Sequence, residues 1–204
     1  LRYLTSHSIW DRWAYCVCSL EEEPVAVFLT VSQRFYAESL GLVDDVRHHP
    51  SPIAEVVKIV SERTQGQEQR IGIVGMNEIL RVADYRHLCA ELPHLQFEDA
   101  TALLMPVRAK KSDEEVAAFA ESARIADAGY RRFHELLALG KTEWELNGEV
   151  QGVFYSHGVF DTLPLTFHGY GDPYLRLARN RPYAAGDWVA YSAEIPSDEG
   201  YWVE

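Results

Sequence analysis

The first half of the chain alternates short apolar runs with stretches whose apolar residues recur at helical spacing. The apolar runs predict strands, and they lie at residues 14–20, 25–31, 70–74 and 95–97. The helical stretches lie at residues 33–40, 53–62 and 78–91. Ser32 and Asn77 are the predicted caps of the first and third helices, and Gly41 ends the first. This alternation favours a mixed sheet covered on its faces, which is an α/β fold.

Polar caps divide the second half of the chain into two helices. Ser112 and Glu115 form a capping box before a long helical pattern that Gly140 ends. Thr142 and Glu145 form a second capping box before a helix that ends near residue 157. Strand-like runs follow at residues 160–168 and 188–195, and from residue 201 onward. A boundary near residues 105–111 predicts two domains, residues 1–107 and 108–204.

Composition narrows the classes of function. The chain has 204 residues and a formal net charge of −12, which disfavours binding to phosphate backbones and to anionic membranes. No apolar run approaches the roughly 20 residues that span a bilayer. The three cysteines make no disulfide framework, so a reducing, cytoplasmic location is expected. Cys16 and Cys18 are two apart on a predicted strand and are expected to be buried small hydrophobes.

Five short segments carry recognisable signature patterns. They are RYLT at 2–5, VRAKKSDEE at 107–115, ARIADAG at 123–129, GKTEWE at 140–145, and GDWV at 186–189 with GY at 200–201. In this order they resemble the creatinase, aminopeptidase P and prolidase family. The resemblance implies an N-terminal creatinase-type α/β domain, then the first half of a pita-bread α/β domain, in a homodimer. It implies that both ends of the protein are missing here, so this piece alone is expected to be inactive.

The predicted hairpin of residues 186–204 occupies the place where the family's metallopeptidases carry two metal-binding aspartates. Counting five places on from Asp187 puts the first of them at Ser192. Counting back seven places from Gly200 puts it at Ala193 instead. The disagreement predicts one added residue, such as a β-bulge. By either count, no carboxylate stands at the first ligand position.

Two acidic residues remain near these positions. Glu204 stands where the resemblance puts the second aspartate, and Glu194 would reach the site if a bulge turned it inward. Both are weak metal-ligand candidates, since a lone carboxylate does not hold a metal. No cofactor is therefore expected, and a divalent Mn, Co or Zn ion enters only under an alternative function.

The resemblance also supplies a candidate catalytic histidine. Creatinase works without metal, through a histidine proton shuttle in this general region, and His168 is the nearest histidine here. The alternative is a structural histidine. Arg176 and Arg179 are candidates to clamp a substrate carboxylate by bidentate hydrogen bonds, and the alternative is a solvated loop that offsets local acids.

Three functions are open on this basis. The first is a creatinase-like or Xaa-Pro peptidase-like hydrolase that acts on small amide, dipeptide-like or amidine substrates without metal. The second is an Xaa-Pro aminopeptidase or dipeptidase with an altered dimetal site. The third is a non-catalytic relative that serves as a binding or assembly module.

Overall fold

A computed structural model describes residues 13–169, 174–197 and 200–204. The chain divides into two compact units between Lys110 and Lys111. The RYLT segment at 2–5, on which part of the resemblance rests, lies outside the described residues. None of the helices in the described ranges has the length and apolarity needed to cross a bilayer.

The first unit alternates strands and helices, as the apolar pattern predicts. Its elements are β1 (Ala14–Val17), β2 (Val25–Phe28), α1 (Val31–Leu40), β3 (Asp45–His48), α2 (Pro52–Thr64), β4 (Gln69–Ile73), α3 (Val82–Glu91), β5 (Leu95–Asp99) and α4 (Thr101–Ala109). Strands β1 and β2 form the predicted hairpin, and β3 pairs parallel to β2. Strands β4 and β5 pair parallel to each other in a separate two-stranded sheet.

Strand β2 lies at the centre of this unit because both of its faces are buried. Val25 and Val27 pack with α2 and with Leu88 and Leu92. Ala26 and Phe28, on the opposite face, pack with Ala37 of α1 and with residues 43 and 46. The side chains of a strand alternate between its faces, so four consecutive apolar residues supply two cores.

Several local predictions for the first unit are wrong. Thr30, not Ser32, caps α1 through a side-chain bond to the N–H of Gln33. Helix α3 starts at Val82, because a turn at 75–80 precedes it, and the Asn77 amide bonds the Asp99 carboxylate instead of capping. The apolar run at 70–74 is of the kind that suits a buried strand, but β4 is largely exposed. Helix α4 runs into the segment 105–111, and the two units divide within that segment, where the boundary is predicted.

The second unit packs two helices on a three-stranded antiparallel sheet. Its elements are α5 (Asp113–Leu136), α6 (Glu143–Ser156), β6 (Leu163–His168), β7 (Val189–Pro196) and β8 (Trp202–Val203), with the strands in the order β6-β7-β8. Both predicted capping boxes form. Helix α5 ends at Leu136, four residues before the predicted stop at Gly140.

The core of the second unit lies between the helices and one face of the sheet. Its members come from α5, α6, β7 and the turn after α6: Ile125, Ala126, Val150, Phe154, Val159, Ala193 and Ile195. Gly129 of α5 lies against the Phe154 ring, and a Cβ at this position would come within 2.3 Å of a ring carbon. The close approach of α5 and α6 therefore requires glycine at position 129.

Candidate active site

The β7–β8 hairpin brings the two predicted metal-ligand positions into contact. The Ser192 hydroxyl donates a hydrogen bond to Oε1 of Glu204, over 2.6 Å. Ser192 is buried and Glu204 is exposed. Ser192, given by the count from Asp187, therefore shares a face with Glu204, whereas Ala193, given by the other count, belongs to the core on the opposite face.

Strand β7 contains no bulge along its pairing with β6. The register runs without interruption from His168 opposite Val189 to Leu163 opposite Glu194. Because side chains alternate along a strand, Glu194 lies on the same face as Ser192 with no rotation of the chain. The predicted bulge is therefore wrong for this stretch. Glu194 is half-buried and reaches the site face without it.

The two faces of this sheet differ in what covers them. We call the face that carries Tyr191, Ala193 and Ile195 the closed face, because α5 and α6 pack against it. We call the face that carries Ser192 and Glu194 the open face. The open face continues in β6 with Leu163, Leu165 and Phe167, which the register places beside these β7 residues and which are exposed or half-buried.

Helix α5 holds β8 in position on the sheet. The Ser122 hydroxyl donates to the carbonyl of Tyr201 over 2.6 Å, and the Tyr201 hydroxyl donates to Glu115 over 3.0 Å. The Tyr201 ring also packs on Phe119, with 5.1 Å between the ring centroids. Glu115 belongs to the capping box of α5 and Tyr201 to the GY pair of the hairpin. These two signatures are therefore joined by a direct contact that positions Glu204.

His168 lies on the closed face, on the side of the sheet opposite Ser192. Its imidazole is fully buried, and its ring centroid is 4.7 Å from that of Tyr183. Nδ1 lies 2.7 Å from Oε1 of Glu143 without hydrogen-bond alignment, and Nε2 lies 3.7 Å from Oδ2 of Asp187.

Glu143, the first residue of α6, is the centre of a buried polar cluster that the sequence did not reveal. Arg176 donates two hydrogen bonds to its carboxylate, over 2.7 and 3.0 Å, and the backbone N–H of Arg179 donates a third over 2.7 Å. Burial raises the pKa of the Glu143 carboxyl, but these hydrogen bonds outweigh burial and hold the pKa below its ordinary value of 4.5. Glu143 is therefore held in its charged form.

The two arginines predicted to clamp a substrate differ in this structure. Arg176 is largely buried and its guanidinium is bidentate to Glu143, so this fork is already occupied by a carboxylate of the chain. Arg179 is exposed, and its side chain has no ion-pair partner among the described residues. The neighbouring Arg181 donates to the carbonyl of His168 over 3.1 Å. Of the predicted pair, only Arg179 has a guanidinium without an ion-pair partner in the part of the chain that the structure describes.

Glu143 stands out only weakly in the sequence. It is the first acid of the GKTEWE segment, in which only the N-cap and Glu145 had an assigned role. An acid in the first turn of a helix is normally explained by the helix dipole, which accounts for an exposed residue but not for a fully buried one. Its partners lie 25 to 36 residues further along the chain. Only the folded structure brings them together.

The open face does not fit a dimetal centre with the residues present. A pair of divalent cations requires several carboxylates and a histidine. Ser192 and Glu204 supply one hydroxyl and one carboxylate, with Glu194 beside them, and the described ranges contain no group of three residues placed to hold a metal ion. The arrangement can bind a cationic or polar substrate group and can transfer a proton at Glu204.

No protein-family model and no curated protein matches the chain. Solved structures of peptidases do match it. The Xaa-Pro dipeptidase from Bacillus anthracis is 19% identical, with a TM-score of 0.72, over 96% of this chain and 53% of that chain. The prolidase from Pyrococcus horikoshii OT3 is 18% identical, with a TM-score of 0.71, over 91% and 51%. A dipeptidase from Mycobacterium ulcerans is 19% identical, with a TM-score of 0.67, over 98% and 53%.

These matches cover nearly the whole of this chain and about half of each solved structure. The order of elements in both units therefore follows that of the peptidases, as the signature segments predict. The predicted fold class, an α/β domain followed by half of a pita-bread domain, is confirmed. The chain has, over about half of their length, the fold of the prolidase and Xaa-Pro dipeptidase structures.

Proposed function

We propose that the chain is part of a hydrolase of small carbon–nitrogen substrates, related to creatinase, aminopeptidase P and prolidase, that acts without a metal held by the β7–β8 hairpin. One observation carries this proposal. The Ser192 hydroxyl, at one of the two predicted first-ligand positions, donates a hydrogen bond to Glu204, the predicted second position, over 2.6 Å.

The chemistry of this contact argues against a metal between the two residues. A neutral hydroxyl is a weak ligand for divalent Mn, Co or Zn compared with an aspartate carboxylate. The hydrogen bond also occupies one oxygen of Glu204 and orients the carboxylate. In this proposal Glu204 holds or relays a proton, or pairs with a cationic group of the substrate, and Ser192 fixes its direction.

The test uses the full-length natural protein that contains these residues. We expect turnover of an Xaa-Pro dipeptide or an amidine substrate to survive exhaustive chelation, with less than one tightly bound metal per chain. Ser192→Asp should raise the bound metal content, because it restores a carboxylate at the first position. The proposal fails if the unmodified protein binds Mn, Co or Zn stoichiometrically and loses its activity on chelation.

An altered dimetal site is the second candidate, because Glu194 shares the open face with Ser192 and Glu204. Glu194→Gln separates the two candidates: it should lower metal content and activity together under the second, and neither under the first. If a broad substrate panel gives no turnover with or without added metal, the protein is instead a non-catalytic relative. A homodimer remains a prediction, which sedimentation of the full-length protein tests.

Arg179 is the better of the two candidates for binding a substrate carboxylate, because Arg176 is already engaged by Glu143. Arg179→Ala should raise KM with little change in kcat, since the side chain is exposed and its loss disturbs no described contact. Only the backbone of Arg179 bonds Glu143, so the variant keeps that contact. An unchanged KM would remove this residue from the site.

The predicted proton shuttle, His168, can be tested in the same assay. His168→Gln keeps a polar side chain at a fully buried position. If His168 transfers protons, the variant loses kcat and the pH–rate profile loses one of its limbs. If it only supports the β6 strand, the urea midpoint falls and the shape of the pH–rate profile is unchanged.

A further inference from the structure

Two thiols of the first unit lie in contact. The Sγ atoms of Cys16 and Cys18 are 3.5 Å apart, within the distance of a thiol–thiol hydrogen bond. Cys16 lies in β1, opposite Ala26, and is half-buried. Cys18 follows the end of β1 and is exposed, so the expectation that both are buried small hydrophobes is wrong for Cys18.

We propose that Cys16 and Cys18 form a reversible thiol–disulfide pair, which closes by exchange with a small disulfide of the oxidised-glutathione class. Residues two apart on an extended strand have Cα atoms roughly 6.6 Å apart. That distance lies within the range of about 4.4–6.8 Å that a disulfide bridges. The sulfur atoms need to approach by about 1.5 Å from their present separation.

The strand pairing holds Cys16 in place but leaves Cys18 able to move toward it. Cys16 is fixed by the ladder between β1 and β2, whereas Cys18 lies beyond the last paired residue, Val17. Cys18 can therefore rotate toward Cys16 without breaking a strand hydrogen bond. The bond closes a ring of only three residues, so it is strained, and a strained, exposed disulfide is readily reduced.

The exchange proceeds in two balanced steps. The Cys18 thiol releases its proton to water, and its thiolate attacks one sulfur of the small disulfide, which expels one small thiolate. The Cys16 thiol then releases its proton to water, and its thiolate attacks the Cys18 sulfur of the mixed disulfide and expels the second small thiolate. The pair loses two protons and two electrons, and the two electrons reduce one molecule of the small disulfide to two thiols.

The surroundings of the two thiols set the order of attack. Cys18 is exposed and meets the oxidant first. Burial, followed by the neighbouring Cys18, raises the pKa of the Cys16 thiol to about 12. The contribution of Cys18 disappears once Cys18 is held in the mixed disulfide. Closure is then intramolecular, at the high effective concentration that a fixed 3.5 Å contact provides.

The full-length protein is incubated with oxidised glutathione, and its cysteine peptides are analysed by mass. The expected product is a peptide containing residues 16 and 18 that has lost two hydrogens and carries no glutathione. Cys89 is the internal control, because it is an exposed cysteine on α3 and its thiol should stop at the glutathione adduct. Reduced glutathione should reopen the pair.

Two variants test the assigned order. In Cys16→Ser the adduct cannot be resolved, so glutathione on Cys18 should rise by on the order of tenfold over the unmodified protein. In Cys18→Ser the half-buried Cys16 should stay unmodified while Cys89 reacts. The proposal is overturned if the unmodified protein carries as much adduct at Cys18 as Cys16→Ser does. It is also overturned if Cys16 and Cys18 remain reduced while Cys89 is fully modified; neither readout depends on hydrolase activity.

Discussion

The two faces of the β6–β7–β8 sheet differ in how accessible their carboxylates are. On the closed face, the buried Glu143 carboxylate at the start of α6 accepts three hydrogen bonds from Arg176 and Arg179. On the open face, Ser192 and Glu204 hold each other at the hairpin end. The Glu143 carboxylate is buried, whereas the Glu204 carboxylate remains accessible to solvent.

This difference in accessibility separates a carboxylate with a structural role from one that can meet a ligand. A buried ion pair with complete hydrogen bonding is costly to break and unavailable to a ligand, so it acts as a structural element. An exposed carboxylate oriented by a buried hydroxyl costs the fold little and remains available. Under the proposed function the site lies at Ser192 and Glu204, and the buried Glu143 carboxylate lies on the opposite side of the sheet.

The largest expected effect comes from removing the centre of the closed-face cluster. Glu143→Ala removes the carboxylate that pairs with the largely buried Arg176 guanidinium, and a broken buried pair costs about 3–5 kcal/mol of unfolding free energy. Urea unfolding followed by tryptophan fluorescence measures the loss. Glu149→Ala is the control: it removes an exposed acid of the same helix, paired with Arg132, and should leave the midpoint nearly unchanged.

A smaller loss is expected where α5 meets α6. Gly129→Ala drives a methyl group into the Phe154 ring and should cost about 1–3 kcal/mol through overpacking. Gly148→Ala is the matched control, because a Cβ at that position in α6 meets no atom within 4 Å. It should stabilise the protein by up to about 1 kcal/mol through helix propensity. Equal destabilisation by both variants would contradict the packing described.

Acid should weaken the closed face more gently than deletion of Glu143 does. The folded pKa of Glu143 lies below its ordinary value of 4.5, so its contribution to stability is complete above that pH. The contribution is lost as the pH falls through the lower, folded pKa, although the protonated carboxyl keeps part of its hydrogen bonding. Urea midpoints measured between neutral pH and pH ~3 should fall less steeply for Glu143→Gln than for the unmodified protein. Glu149→Gln should follow the unmodified curve, and parallel slopes for all three proteins would exclude this role.

The sequence predicted the contacts that are local and missed those that join distant segments. Both capping boxes form because their partners are three residues apart and need only a helix start. The sequence also indicates which residues of the hairpin share a face, because side chains alternate along a strand. The Glu143–Arg176 pair could not be derived in this way, since it depends on how the loop before β7 lies against the start of α6. Asn77 was misassigned because its side chain bonds Asp99, a contact that sequence spacing does not reveal.

The smallest expected effect is on the open face, and it is the sharpest test of the comparison. Ser192→Ala removes one hydrogen bond whose acceptor, Glu204, is exposed and can turn to water, so it should cost only about 0.5–1.5 kcal/mol. Thr166→Val removes a hydroxyl from the closed face of the same sheet, where it bonds the carbonyl of Ala190 over 2.9 Å. That variant should cost more, because Thr166 is buried and the carbonyl is left without this donor. Urea midpoints of the two variants, measured under the same conditions, test which hydroxyl contributes more to stability. If Ser192→Ala lowers the free energy of unfolding as much as Glu143→Ala does, the Ser192–Glu204 contact is structural. The open face is then not distinguished from the closed face as the functional one.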